Sequence, residues 1–452
     1  MLNQKIYELK NWKNVIHTTW NPGGPGALRI HMVPPKFVPF KTVRTPVILN
    51  GQDILPINES WAILLTEFIK HTNEFGDGAM SDEDLEKILG KTIAGVKKVY
   101  PRVSDEVLKN DLDTIMDVFE SVVAGEQITM EGKPITLEDY APYMTAPHRM
   151  DLMVSAMTRD GKWNCNQKCM HCYAAGQELS GEKELTTDEW KKIISLCRKA
   201  KIPQLTFTGG EPTMRDDLTD LIGCSRWFVT RLNTNGVKLT PEYCKALYDA
   251  ELDNVQVTFY SADADIHNRL VGAPNYGKTL DGIRNVLDSG LNISINTPLC
   301  TLNRDYVATL KLLKHLGITY VTCSGMIPAG GATGQEAGSV RLSKEEITAC
   351  LSEAVDYCYA NDMEISFTSP GWVEEDFLKK KGMTVPSCGA CMSNMAISPS
   401  GNVIPCQSWL SQDPLGNMLT DRWNKIWNSA RCKKIREISS KNEKLCQLRS
   451  LS

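Results

Sequence analysis

No apolar run in these 452 residues approaches the roughly 18 needed to cross a bilayer, so no membrane helix is expected. The opening MLNQKIYELKNWKN lacks both an apolar centre and a small-residue cleavage site. No secretory signal is read there, and a cytoplasmic location is expected. The net charge of −4 gives no broad basic surface, which argues against a nucleic-acid partner. There is no internal repeat and no low-complexity tract. Cysteine is sparse and odd in number, at 15, which excludes a secreted disulfide scaffold. Most of these cysteines read as buried, inert thiols: Cys197, Cys224, Cys244, Cys300, Cys323, Cys350 and Cys358. Two groups depart from that reading.

What is present is an ordinary globular composition, 42% hydrophobic and 23% charged, long enough for several domains. Residues 1–146 read as a separate α+β unit. Strands are expected at ALRIHMV (27–33) and TPVILNG (45–51). A helix follows, capped by Asn58, with Trp61, Leu64, Leu65, Phe68 and Ile69 on one face. Ser81 and Asp84 resemble a capping box opening a second helix, and a third is expected over 104–123. A small sheet followed by three helices fits a stabilising extension. It equally fits a winged-helix-like peptide binder whose strand edge takes up a partner as one more strand.

From Met150 short apolar runs alternate with amphipathic stretches: DLMVSAM, QLTFTGG, WFVTRLNTNG, NVQVTFY, NISINTPL and YVTCSGM. Six such units over residues 147–345 predict a parallel α/β sheet amounting to three quarters of an eight-unit barrel. Ligands in such sheets sit at the carboxyl ends of the strands. Residues 346–452 form a third region, with strand-like EISFTS and NMAISPSGNVIPC before a helix-like TDRWNKIWNSARCKKIREI.

The first cysteine group is CNQKCMHC, with Cys165, Cys169 and Cys172 after the first strand. A closed tetrahedral site needs four ligands, and three thiolates leave one position open. A four-iron cubane held by three thiolates would offer its last iron to a non-protein ligand. The alternative is a zinc knuckle borrowing His171. Two further motifs end strands on the same side. TGGEP (208–212) brings Gly209 and Gly210, which would let backbone approach a ligand, and Glu211, which can accept from an ammonium group. NTNG (233–236) brings Asn233 and Asn235, suited to a ribose or a carboxylate.

Cys165-x3-Cys169-x2-Cys172, Gly209-Gly210-Glu211 and the six-unit partial barrel together resemble the radical S-adenosylmethionine superfamily over about residues 150–330. The resemblance implies a partial (β/α)6 TIM barrel. It also implies a [4Fe-4S] cluster whose open iron chelates S-adenosyl-L-methionine, reductively cleaved to a 5'-deoxyadenosyl radical that removes a substrate hydrogen. His171 and Tyr173 flank the last cysteine, His171 in the family's aromatic position. Thr258 matches a position where relatives carry a ribose-binding serine. Tyr260 stands where relatives with SLDG carry an aspartate, and Arg269 lies near a cofactor-binding arginine, with its register shifted by two.

The second group is Cys388-x2-Cys391-x14-Cys406, bracketing a hairpin expected to turn at Ser400-Gly401. That hairpin would return Cys406 beside the other two. Cys446 is the favoured fourth ligand, with Cys432 the competitor and a structural zinc ribbon the alternative chemistry. Together with CQSW and LGNMLTDRWNKIWNS the region resembles the twitch and SPASM auxiliary-cluster modules. The chain ends six residues after Cys446, so one auxiliary [4Fe-4S] cluster is expected.

With strands, three helices and ILPINESWAILLTEFI, residues 1–146 resemble the leader-peptide recognition domain of ribosomal-peptide maturases. The function these resemblances imply is a maturase that abstracts hydrogen from a precursor peptide carrying a leader, forming a thioether or carbon–carbon crosslink. A flavodoxin- or ferredoxin-type reductant would serve it. The alternatives are a dehydrogenase of a small molecule or protein side chain, of the formylglycine-forming type, and a peptide epimerase.

Overall fold

The computed structural model describes residues 2–20, 28–37, 44–50, 53–75, 80–123, 144–411, 413–441 and 446. The chain divides into two compact units. One is Met1–His148 with Ser195–Gln204 and Trp227–Val229, and the other holds the remainder.

The first unit opens with helix α1 (Leu2–Asn11). Four strands follow, β1 (Ile16–Trp20), β2 (Leu28–Met32), β3 (Thr45–Leu49) and β4 (Asp53–Ile57), then α2 (Glu59–Phe75), α3 (Asp82–Lys97) and α4 (Asp105–Val123). The strands form one antiparallel sheet in chain order. Of these elements the sequence reading anticipated β2, β3 and the three later helices; α1, β1 and β4 are additions. The local signals behave as expected. Asn58 Oδ1 accepts from Trp61 N at 2.9 Å, and Ser81 and Asp84 close a reciprocal capping box. Ile30, Met32, Val47 and Leu49 of the sheet bury against Leu65 and Ile69 of α2, Ile88 and Val96 of α3, and Leu112, Ile115 and Phe119 of α4. Gly95 of α3 is required by this packing, since a Cβ there would meet Glu67 Oε2, whose partner oxygen accepts from Tyr7 Oη at 2.6 Å.

In the second unit β5 (Arg149–Ser155) is followed by a short hairpin, β6 (Thr158–Arg159) and β7 (Lys162–Trp163). Next come β8 (Gln204–Gly209), β9 (Val229–Thr234), β10 (Asn254–Thr258), β11 (Ile293–Pro298) and β12 (Tyr320–Ser324), with helices between them. These account for the six expected strands. The third region adds β13 (Glu364–Phe367), β14 (Asn394–Ile397), β15 (Asn402–Ile404) and β16 (Gly416–Asn417). The main sheet runs β13-β12-β11-β10-β9-β8-β5-β14-β15-β16. Both flanks of the barrel-type sheet therefore come from residues 346–452. β13 lies parallel to β12 and β14 parallel to β5, Asn394 opposite Arg149. Among the described residues no helix is long and apolar enough to cross a membrane. Of the cysteines read as inert, Cys224 is exposed, and the other six are buried.

Candidate active site

The loop carrying Cys165, Cys169 and Cys172 leaves the β6–β7 hairpin and is held by backbone contacts. Lys168 N donates to Val271 O at 3.0 Å and Met170 N to Leu270 O at 2.9 Å, both at the end of the helix Ala264–Val271. Gly272 ends that helix with φ 65°, and a Cβ there would lie 2.5 Å from Lys168 O. On the other side Gly331 N donates to Cys172 O at 2.8 Å, and a Cβ on Gly330 would lie 2.1 Å from Tyr173 O. Gly272 and the Gly330-Gly331 pair thus cradle the cysteine loop. The sequence reading missed them, although the PAGGATG run (328–334) was the signal.

The three thiols lie within electrostatic reach of one another. Burial pushes the Cys165 thiol up to about 12, with further upward contributions from Glu211 and Cys172. Burial likewise raises Cys169, with Cys172 and Cys165 adding to it, and it raises Cys172. Three half-buried thiols that repel one another as thiolates lack a positive charge, and a metal centre supplies one. His171 lies against Tyr260. Its Nε2 faces Tyr260 Oη at 3.1 Å, and burial holds the imidazole neutral, down to about 4. Among the described residues no three His, Cys, Asp or Glu side chains close on one ion.

The strand-end motifs meet this loop through hydrogen bonds. Buried Glu211 accepts from Thr213 N (3.1 Å), Thr213 Oγ1 (2.7 Å), Thr234 Oγ1 (2.7 Å) and Asn235 N (2.8 Å). Burial pushes its carboxyl up, and these four donors oppose the shift. Asn235 Nδ2 donates to Asn166 Oδ1 at 2.6 Å, so TGGEP, NTNG and the cysteine loop form one network. Asn233 Oδ1 is buried with no partner among the described residues, as are Gln167 Nε2 and His171 Nδ1. Thr258 ends β10, half-buried, opposite Asn296.

Gly209 (φ 142°) has no room for a Cβ, which would lie 2.3 Å from Ser155 O; Gly210 N donates to that same oxygen at 2.7 Å. These glycines admit the neighbouring β5 backbone. Arg269 is exposed on the Ala264–Val271 helix, and its charge acts on Cys300.

The second thiol set forms around the β14–β15 hairpin, which turns through Gly401 at φ 90° with Ser398 N donating to Asn402 O. Cys391 adopts a left-handed φ of 57° and donates its N–H to Pro405 O at 3.2 Å, next to Cys406. Cys406 is pushed up to about 12, by burial first, with Cys446 and Cys388 adding to the shift. The helix Ala430–Lys441 contributes a stripe of Cys432, Arg436 and Ser439. Cys432 and Cys391 share a side-chain hydrogen bond that lowers the Cys432 thiol and raises Cys391. Arg436 lies 3.4 Å over the Trp427 ring and donates to Cys391 O, Trp427 O and Cys432 Sγ. Ser439 Oγ lies 3.9 Å from Cys388 Sγ. Both candidate fourth thiols are therefore at hand: Cys432 against Cys391, and Cys446 within electrostatic reach of Cys406. The Arg436–Trp427 clamp was not foreseen, because a basic residue in a helix carries no mark of what it faces.

The two thiol sets are linked. Tyr173 interacts electrostatically with both Cys172 and Cys406 and is hydrogen-bonded to Thr208. Gln177 Nε2 donates to Tyr173 O (2.6 Å) and Ser408 O (3.0 Å), and its Oε1 accepts from Leu410 N (3.1 Å).

Comparison with known proteins agrees with this geometry. Residues 164–313 match the radical SAM superfamily, and residues 388–448 match SPASM, an iron–sulfur cluster-binding domain. An AdoMet-dependent heme synthase of Oleidesulfovibrio alaskensis is 27% identical over 66% of this chain and 78% of its own length. A PqqA peptide cyclase of Streptomyces rochei is 26% identical over 59% of this chain and 73% of its own. In fold, Streptococcus suis SuiB bound to the precursor peptide SuiA superposes with TM-score 0.58 at 12% identity, covering 87% of each chain. The cofactors that go with these two domains are S-adenosylmethionine and [4Fe-4S] clusters. The chain thus carries a radical SAM domain followed by a SPASM domain, and is an enzyme of the radical SAM type.

Proposed function

We propose that this enzyme modifies a ribosomally made precursor peptide, bound through its leader on the first unit. Cys165, Cys169 and Cys172 would hold the S-adenosylmethionine-binding cluster. Glu211, Asn233, Asn235 and Thr258, at or near strand ends, would serve the S-adenosylmethionine. Cys388, Cys391, Cys406 and either Cys446 or Cys432 would hold one auxiliary cluster. With its cofactor bound, the first centre supplies a hydrogen-abstracting nucleoside radical. Closing a thioether or carbon–carbon crosslink removes two hydrogen atoms from the peptide in total: one would leave with the nucleoside radical and the other as a proton and an electron, and the second thiol set offers a place for that electron's acceptor. A flavodoxin- or ferredoxin-type protein is the proposed reductant.

The observation that carries the peptide reading is the edge of the first unit's sheet. Val33 N donates to Pro46 O, so Pro46 of β3 faces β2. Its antiparallel partner Pro56 must then face outward, and so must Ile54 two residues before it. Among the described residues no strand pairs with that side of β4. It offers Ile54 N–H, Ile54 C=O and Pro56 C=O to an incoming chain. The opposite edge is partly taken, since His17 O of β1 accepts from Asn73 Nδ2 at 2.8 Å.

The test is Ile54→Pro in the full chain, which removes the outward donor. Affinity for a peptide encoded by a short reading frame beside the gene, read by fluorescence anisotropy, is expected to fall at least about tenfold, the scale of one lost hydrogen bond. Peptide-independent cleavage of S-adenosylmethionine should be unchanged. Equal affinity would remove the leader-binding role. The heme synthase similarity favours a second reading, oxidation of a small molecule, in which no peptide binds at all.

A further inference from the structure

Cys169 is the middle thiol of the first set, and two side chains outside the ligand set reach its sulfur. Gln167 Oε1 lies 3.6 Å from Cys169 Sγ. Gln167 is 4% exposed, and its Nε2 has no hydrogen-bond partner among the described residues. From the other side comes Tyr260. Its buried hydroxyl lies 3.1 Å from His171 Nε2 and within electrostatic reach of Cys169.

Protons decide what these contacts become. A thiol can donate its single hydrogen to Gln167 Oε1, which strands the amide N–H groups in the interior. An unmade buried donor is costly. A thiolate has no hydrogen and only accepts. A half-turn of the amide then exchanges Oε1 for Nε2 and satisfies both groups. Tyr260 has one hydrogen and two neighbours. His171 Nδ1 is buried without a partner, so a hydrogen there would also be stranded. The imidazole hydrogen therefore belongs on Nε2, donating to the phenol oxygen. That leaves the phenol hydrogen for Cys169.

The other two thiols are served differently. The amide neighbouring Cys165 is Asn166, whose Oδ1 already accepts from Asn235, so it stays an acceptor. Cys172 receives backbone N–H groups from Ala174 and Ala175. Cys169 alone has two side-chain donors able to face its sulfur.

We propose that Tyr260 and Gln167 are positioning residues that donate paired hydrogen bonds to the Cys169 thiolate and thereby raise the reduction potential of the cluster it holds. This rests on Cys165, Cys169 and Cys172 being the ligands. A donor on a ligand sulfur withdraws negative charge and favours the state with one more electron. The device makes the first centre easier to reduce.

The experiment is an EPR-monitored potentiometric titration of the full chain with both clusters assembled, following the signal that responds to added S-adenosylmethionine. Tyr260→Phe and Gln167→Met are compared with wild type at equal iron content. Each is expected to lower the reduced-to-oxidised ratio at fixed potential by up to about tenfold, which is about 59 mV for one electron. The double variant should fall further. A double variant with full iron and an unmoved midpoint overturns the inference. If Tyr260→Phe does not retain iron, Gln167→Met decides alone, and an unmoved midpoint there overturns it too. A wild-type chain that assembles no iron–sulfur cluster overturns the ligand assignment and this inference together, and iron analysis tells that case from the others.

Discussion

Small residues set the geometry of the first centre. Gly272 combines a left-handed φ of 65° with a 2.5 Å approach to Lys168 O, so Gly272→Ala is doubly penalised. Backbone strain of this kind costs on the order of 1–3 kcal/mol. Denaturant unfolding should report that loss, and iron per chain after reconstitution should fall with it, because the displaced backbone belongs to the cysteine loop. Cys169→Ala acts on the proposed ligand set itself. It leaves two thiolates where three are needed, and 5'-deoxyadenosine formation, followed by chromatography, should disappear. The two cysteine groups stood out from spacing alone. Gly272 did not, because the backbone it faces, at Lys168, comes from a distant part of the chain.

Helices and strands with strong local signals were likewise readable. Asn58, Ser81 with Asp84, and the six apolar strand runs all mark elements that form. Replacing Ser81 by Ala should cost roughly 1 kcal/mol, the usual worth of an N-cap, seen as a lowered unfolding midpoint. The misses have physical causes. β1, IHTTW, and β4, DILPI, are short, and neither shows a clean alternation of apolar and polar residues. Their strand character comes from antiparallel neighbours rather than from their own pattern. EISF and NMAI were recognised as strand-like, but nothing local says that they extend the barrel sheet. The parallel pairing of Asn394 with Arg149 links positions far apart in sequence, and such a register leaves no trace in either segment.

Across the whole molecule the two thiol sets divide the labour that the proposed function requires. Cys406→Ala should leave peptide-uncoupled cleavage of S-adenosylmethionine intact while abolishing the crosslinked product, with mass spectrometry reading the peptide and chromatography the nucleoside. Wild-type product yield would reduce the second set to a scaffold. Its recruitment into the barrel sheet through β14 already makes it more than an appendage.

Gln177 gives that partnership a material consequence. One amide grips the carbonyl behind Cys172 and, beyond Cys406, the backbone at Ser408 and Leu410. Two air-sensitive centres so yoked should not decay on separate clocks. Exposure to oxygen is expected to bleach both in a single kinetic phase. Cutting the yoke, by Gln177→Ala, should split that phase in two.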